Sequence, residues 1–293
     1  MKPLPRGKSL TILFLLPSIA LLAVFNLAPF LYAVWLSFTN LNLRLPSGSG
    51  KFIGLDNYRH LLDSGEFANS LLLTILFVIV VVSLEFLIGL TLALLLNRDF
   101  MGKRFVIPLV SVPMMIAPIC VGLMWRIALN YEFGVTTWLM DVLGVGFGDA
   151  LLGSKATALP TLMAIDIWQW TPFMFLIMIA GLHGLPKEPY EAARVDGASR
   201  VQMFFRLTLP LLKPLIIIAL LLRVIDAFRT FDQVLILTGG GPGNNTELLS
   251  MFAYRINFNI WDLGYGSSVI LVIFYIILVI IALFYNSFQK GTS

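Results

Sequence analysis

The residues of this chain best suited to chemistry are charged and amide groups set inside strongly apolar runs. Arg223, Asp226, Arg229 and Asp232 stand three residues apart within the run 211–237. At about 100° per residue, a helix puts Arg223, Asp226, Ala227 and Thr230 on one face, with Arg229 and Asp232 drifting off it. Two uses compete for these groups. Arg223 with Asp226, and Arg229 with Asp232, are spaced for salt bridges along one helix, which would only neutralise charge. The other use, for Arg223 and Asp226, is contact with a polar solute; Asp232, close to the end of the run, reads as a paired charge. A second set lies in Asp166-Ile167-Trp168-Gln169-Trp170-Thr171-Pro172-Phe173. Here Asp166, Gln169, Trp170 and Phe173 fall at i, i+3, i+4 and i+7 of one face. An aromatic ring beside an amide and a carboxylate suits a polyhydroxylated solute, with the ring on the apolar C–H face and the polar groups on hydroxyls. Tryptophans in such runs also serve as packing or interfacial anchors. Glu85 is a lone carboxylate in the run 71–96. Lining a polar path and pairing with an arginine both remain open for it.

Other chemistry finds little support. The stretch 239–245 is glycine-rich but lacks the Gly-Lys-Ser/Thr ending of a phosphate loop. No nucleophile–base set is apparent, which weakens a membrane-embedded enzyme. His60 and His183 offer no strong metal site, and the single Cys120 excludes an intrachain disulfide.

The elements that must position the polar groups follow from composition. Of 293 residues, 58% are hydrophobic and 12% charged, and the mean hydropathy is +0.90. Soluble domains carry about 25% charged residues, so this chain cannot cover itself with a water-facing surface. A transmembrane helix needs about 20 apolar residues. Six runs qualify, at about 10–38, 71–96, 106–129, 156–182, 211–237 and 265–288, predicting an all-α integral membrane protein of six transmembrane helices within 10–288. Prolines interrupt several runs and are tolerated where neighbouring helices satisfy the freed carbonyls. The first run opens like a secretory signal, after Lys2, Arg6 and Lys8, but stays apolar too long for one and reads as a retained helix. Lys and Arg concentrate in 1–9, 97–105, 183–210 and at Lys290, against fewer in the alternate loops. That bias puts both termini, 1–9 and 289–293, in the cytoplasm. The net charge of +4 and pI near 9.2 then reflect topology, with no nucleic-acid partner required.

Of the cytoplasmic loops only 183–210 is long enough to carry structure. Pro189 suits a first helical turn, Glu191 complements the positive end of the helix, and Gly197 supplies a left-handed exit. Ser199 and Gln202 form a capping box that starts a second short helix, and Pro210 opens the next run. The product is a helix–turn–helix with small residues Ala192, Ala193, Gly197 and Ala198 at its elbow, where another surface can approach closely.

The same residues carry a resemblance. Glu191-Ala192-Ala193, then Gly197, then Leu207, Leu209 and Pro210, are similar to the EAA signature of bacterial ABC importer permeases, with Leu207 where isoleucine is common, and the resemblance extends the coupling role to Asp196 and Ala198 beside Gly197. Phe52-Ile53-Gly54-Leu55-Asp56-Asn57-Tyr58 and Leu237-Thr238-Gly239-Gly240-Gly241-Pro242 resemble segments of sugar permeases of the maltose and glycerol-phosphate group. The resemblance implies a type I importer permease in the cytoplasmic (inner) membrane of a bacterium. It implies a homologous second permease, two cytoplasmic ATPase subunits that hold the ATP and Mg, and an external solute-binding protein, with no cofactor on this chain. It further implies that the EAA loop docks on an ATPase, Glu191 meeting a cationic group there. The cargo implied is a disaccharide or sugar alcohol, contacted from Asp166, Gln169, Trp170, Phe173, Arg223, Ala227 and Thr230. Residue types differ from the maltose-type permease at most of these positions. Two alternatives stand beside it: an ion-coupled secondary transporter using Glu85, Asp166 and Asp226, and a permease for glycerol phosphate using Arg223.

Overall fold

A computed structural model describes residues 6–45, 50–98, 100–142 and 151–292, without the side chains of 6–13, 137, 140, 141 and 286–292. Residues 1–5 of the expected cytoplasmic N-terminus, with Lys2, lie outside the described residues, as do the side chain of Lys290 and the last residue of the expected tail. The chain is helical throughout its ordered elements and divides into two compact units.

One unit comprises residues 1–64 and 253–274. Its first helix, α1 (Arg6–Leu22), passes through a π-turn (Ala23–Leu27) into α2 (Ala28–Ser37). Pro29 has no N–H to give, and the wider turn just before it, closed by Ala28 N to Ala23 O, absorbs the misfit. The carbonyls at the end of α2 are met by α3 (Asp56–Asp63). Asn57 donates to the carbonyls of Ser37 and Thr39, each at 2.8 Å, and the Tyr58 hydroxyl lies 2.8 Å from Ser37 Oγ. The segment 52–58 singled out in the sequence therefore has a structural task, that of closing the end of the first apolar helix.

The other unit, residues 65–252 and 275–293, holds the polar groups. Its core is three helices. α4 (Gly65–Leu96) runs unbroken. The segment expected as a continuous span over 106–129 is instead interrupted: α5 (Lys103–Ser111), a 3-10 turn at Pro113–Met115, then α6 (Pro118–Ala128). Pro113 and Pro118 cannot supply the N–H groups that would carry the helix across. α7 (Val135–Val142) follows, and α8 (Ala158–His183) crosses α4 closely, because a Cβ on Gly89 would sit 2.7 Å from Met174 Cβ. Then come α9 (Glu188–Val195) and α10 (Arg200–Met203). A π-turn (Phe204–Thr208) leads into α11 (Leu209–Phe228), with Pro210 two residues past the turn, as Pro29 is two past the turn before α2. Phe77, Val81 and Ala93 of α4, Met174 and Phe175 of α8, and Leu212 and Ala219 of α11 form the apolar centre.

The run expected over 211–237 also differs. Its helix begins earlier, ends at Phe228, and resumes as α12 (Asp232–Leu237). Beyond it, α13 (Leu249–Tyr254) is a short helix that the apolar runs did not reveal, and α14 (Leu263–Thr292) is the last. Leu248, Leu249 and Phe252 are at most 1% exposed, so this segment of an expected external loop is core. Among the described residues, five helical segments are long and apolar enough to cross a membrane: Phe14–Ser37, Gly65–Leu96, Ala158–His183, Arg200–Phe228 and Leu263–Tyr285. The third of the six expected runs is represented by the shorter Pro118–Ala128.

Candidate functional site at membrane depth

Arg223 is the centre of the site. On α11 it is 1% exposed, and it reaches across to both neighbouring helices. Its Nε lies 2.7 Å from Oε2 of Glu85 on α4, and its Nη2 lies 2.9 Å from Oε1 of the same carboxylate. Nη2 also donates to Oδ2 of Asp166 on α8, and Nη1 to Oδ2 of Asp226 at 3.0 Å. The guanidinium carbon stands 5.2 Å above the Trp170 ring. Glu85 and Asp166 are as buried as the arginine, whereas the Asp226 side chain is 52% exposed. The helical pair Arg223–Asp226 expected from spacing is present, but it is one of four bonds. The open question over Glu85 resolves in favour of pairing.

The second expected pair does not form. Arg229 lies just past the end of α11 and Asp232 starts α12, and no ion pair joins them among the described residues. The single-face reading of Thr230 fails for the same reason, since the helix has stopped before it. The break nevertheless puts Thr230 to use. Ser250 Oγ donates to the Thr230 carbonyl, and the residues of the break, with α8 and α12, line a cavity of about 90 Å³. Asp166, Trp170, Asp226, Thr230 and Gln233 are on its wall, with Arg229 and Asp232 also facing it. Of the expected path residues, Arg223 and Gln169 stand behind this wall rather than on it. Ala227 is fully buried, and Phe173 packs edge-on against Trp170 with ring centroids 6.5 Å apart.

Gln233 was missed by the sequence reading, which followed charges along that run and passed over an amide in an equally apolar setting. Its Nε2 donates to Oε1 of Gln169. Gln169 Nε2 in turn donates to the carbonyl of Ile116 at 2.9 Å, in the interruption before α6. The proline break and the polar residue of α8 are thus two halves of one arrangement.

The loop 183–210 folds as its local signals indicate. Pro189 and Glu191 stand in the first turn of α9, and Gly197 has a φ of +75°. Ser199 N donates to Gln202 Oε1 at 2.8 Å, and Gln202 N donates to Ser199 Oγ at 3.3 Å. No residue of α9 is buried. The Tyr190 hydroxyl donates to Thr208 Oγ1 at 3.0 Å, tying α9 to the turn that begins α11.

A multi-pass helical chain with a buried charge cluster between spans, and a cavity beside it, is an all-α membrane permease in class. The family model for the binding-protein-dependent transport system inner membrane component matches residues 85–290, and the chain belongs to that family. It is the translocation-pore subunit of a binding-protein-dependent ABC importer, which sets aside the ion-coupled secondary transporter as an alternative. It is 38% identical over 273 residues to the trehalose/maltose transport system permease protein MalF of Thermococcus litoralis, covering 93% of this chain and 91% of that one. It is 37% identical over 272 residues to the sulfoquinovosyl glycerol transport system permease protein SmoG of Agrobacterium fabrum, covering 90% and 85%. The fold matches a chain of a bacterial ABC transporter involved in the import of the acidic polysaccharide alginate, with a TM-score of 0.85 at 22% identity over 98% of each chain.

Proposed function

We propose that this subunit carries a neutral sugar, a disaccharide or polyol, across the cytoplasmic (inner) membrane of a bacterium. The observation that carries the cargo assignment is the wall formed by Asp166, Trp170, Asp226 and Gln233. It offers an aromatic face and hydrogen-bonding oxygens, the combination that binds sugar rings and their hydroxyls. The trehalose/maltose relative supports a disaccharide. Glycerol phosphate fits poorly. Arg223 is committed to three carboxylates, and Arg229 shares the cavity with Asp166, Asp226 and Asp232, which would repel a phosphate.

In this reading the interrupted segment 103–128 is the third of six crossings, and both termini are cytoplasmic. The helix–turn–helix is the coupling element. Glu191, Ala192, Ala193, Asp196, Gly197 and Ala198 meet an ATPase subunit, and Leu209 with Pro210 begins the span that transmits the motion. The exposure of α9 supports this, as does the tie from Tyr190 to Thr208. The remaining partners are a homologous second permease, a second ATPase, with ATP and Mg held by the ATPases, and an external solute-binding protein. The test is uptake into proteoliposomes holding the assembled complex, with labelled trehalose, maltose, sorbitol and glycerol 3-phosphate. Trehalose or maltose uptake that requires internal ATP and survives ionophores is expected. Uptake of glycerol 3-phosphate alone overturns the cargo assignment.

A further inference from the structure

Two residues that line the cavity, Asp166 and Gln233, each carry a buried oxygen with no hydrogen-bond partner among the described residues: Oδ1 of Asp166 and Oε1 of Gln233. Their residues are 1% and 2% exposed. Such atoms are rare in folded proteins and call for a partner. An amide can ordinarily be turned over, exchanging its acceptor for a donor. Here it is held. In a continuous helix the Ile116 carbonyl would accept from the N–H of Cys120, but that N–H is bonded to Ala117 at the start of α6. The Ile116 carbonyl can only accept, so Gln169 must turn its Nε2 toward it. That leaves Gln169 Oε1 facing Gln233, which must donate Nε2 to it and is left with a bare oxygen. Asp166 needs no such orientation, since both its oxygens accept: Arg223 holds Oδ2, and Oδ1 has no donor among the described residues.

Resting on the sugar reading above, we infer that Gln233 and Asp166 form an acceptor pair that recognises hydroxyl donors of the cargo, its polarity set through Gln169 by the Ile116 carbonyl. The cavity, about 90 Å³, is several times the space that one water needs. It admits the hydroxyl-bearing edge of one sugar ring. A carboxylate or phosphate, which only accepts, has nothing to offer either oxygen. Gln233 is thus a specificity-determining residue that filters for donors.

The experiment uses the assembled transporter in proteoliposomes, its solute-binding protein saturated with trehalose or with trehalose bearing hydrogen or fluorine in place of one hydroxyl. Neither replacement can donate. The wild type is expected to disfavour at least one such position by roughly tenfold in initial uptake. Gln233→Met is expected to move trehalose more slowly and to lose that discrimination. Gln169→Met, which leaves Gln233 in place but frees its amide to turn, is expected to lose part of it. The readout is a ratio between two sugars in one preparation, so a smaller folded fraction cancels. Discrimination unchanged in both variants overturns the inference, as does a wild type that moves all the analogues equally. A wild type that moves no sugar overturns the sugar reading and this inference with it.

Discussion

Removing the charge of Arg223 tests the buried cluster most directly. Arg223→Met keeps much of the side-chain bulk but deletes four charge-assisted hydrogen bonds. It leaves Glu85 and Asp166, each no more than 1% exposed, without a cation between them. Deleting one partner of a buried ion pair costs about 3–5 kcal/mol, because the other charge stays desolvated. That is roughly two to three and a half decades in the folded-to-unfolded ratio. Asp226→Asn should cost far less, about 0–1 kcal/mol, because its carboxylate is half exposed and solvent already screens it. The sharper expectation concerns the double variant. If the penalty in Arg223→Met is uncompensated negative charge, adding Glu85→Gln removes one such charge and should recover part of the loss. The measurement is the heating midpoint of the purified complex in detergent, read as the surviving monodisperse fraction. The expected order is wild type, Asp226→Asn, the double variant, then Arg223→Met. A double variant less stable than Arg223→Met alone would refute the electrostatic account and leave simple packing in its place.

Other perturbations address other joints. Gly89→Val is expected to destabilise by about 1–3 kcal/mol or more, because its added Cβ would meet Met174 Cβ at 2.7 Å and the Phe175 backbone N at 2.9 Å; an unchanged heating midpoint would contradict the close α4–α8 crossing. Glu191→Lys and Gly197→Asp are expected to abolish ATP-driven uptake while the protein still inserts. A Cβ at Gly197 meets nothing within 4 Å, but at a φ of +75° a side chain also strains the turn, so Glu191→Lys is the cleaner test of docking; normal uptake in both would sink the coupling role. Ser199→Ala removes the capping box and should cost the loop about 1 kcal/mol, measurable as faster amide exchange across α10. Asn57→Leu strips the cap from two carbonyls at the end of α2 and is expected to raise protease sensitivity of the 39–56 loop.

What could be read from the sequence was what short-range rules decide. The loop 183–210 folded as expected because each of its signals acts within one turn: a proline at the first positions of α9, the positive φ of Gly197, and the reciprocal bonds of Ser199 and Gln202. The prolines of the third run were visible too, but a proline inside an apolar run is compatible with a kink or a break. The choice turned on Gln169, a residue 53 positions away that satisfies the Ile116 carbonyl. α13 was hidden because its six residues are too few for a periodicity to declare itself, and its burial depends on surfaces contributed by distant segments.

The charge cluster marks the limit of helical spacing as a guide. A guanidinium has five N–H donors, and one face of its own helix can present only a residue or two within reach. Asp226 takes one of those donors. At membrane depth the others cannot be left to water, so the stable solution recruits acceptors from other helices. Spacing therefore found the weakest of the partners, the one that is half solvated, and could not find Glu85, 138 residues earlier, which takes two. The converse holds for Asp226. Because Arg223 is satisfied twice over by buried carboxylates, Asp226 is the member of the cluster least needed for neutralisation, and it is also the one that reaches the cavity. The structural and the cargo-facing readings of Arg223 and Asp226, which competed along the sequence, divide between the two residues: the arginine binds three helices together, and the aspartate it holds stands on the cavity wall where the proposed solute path would run.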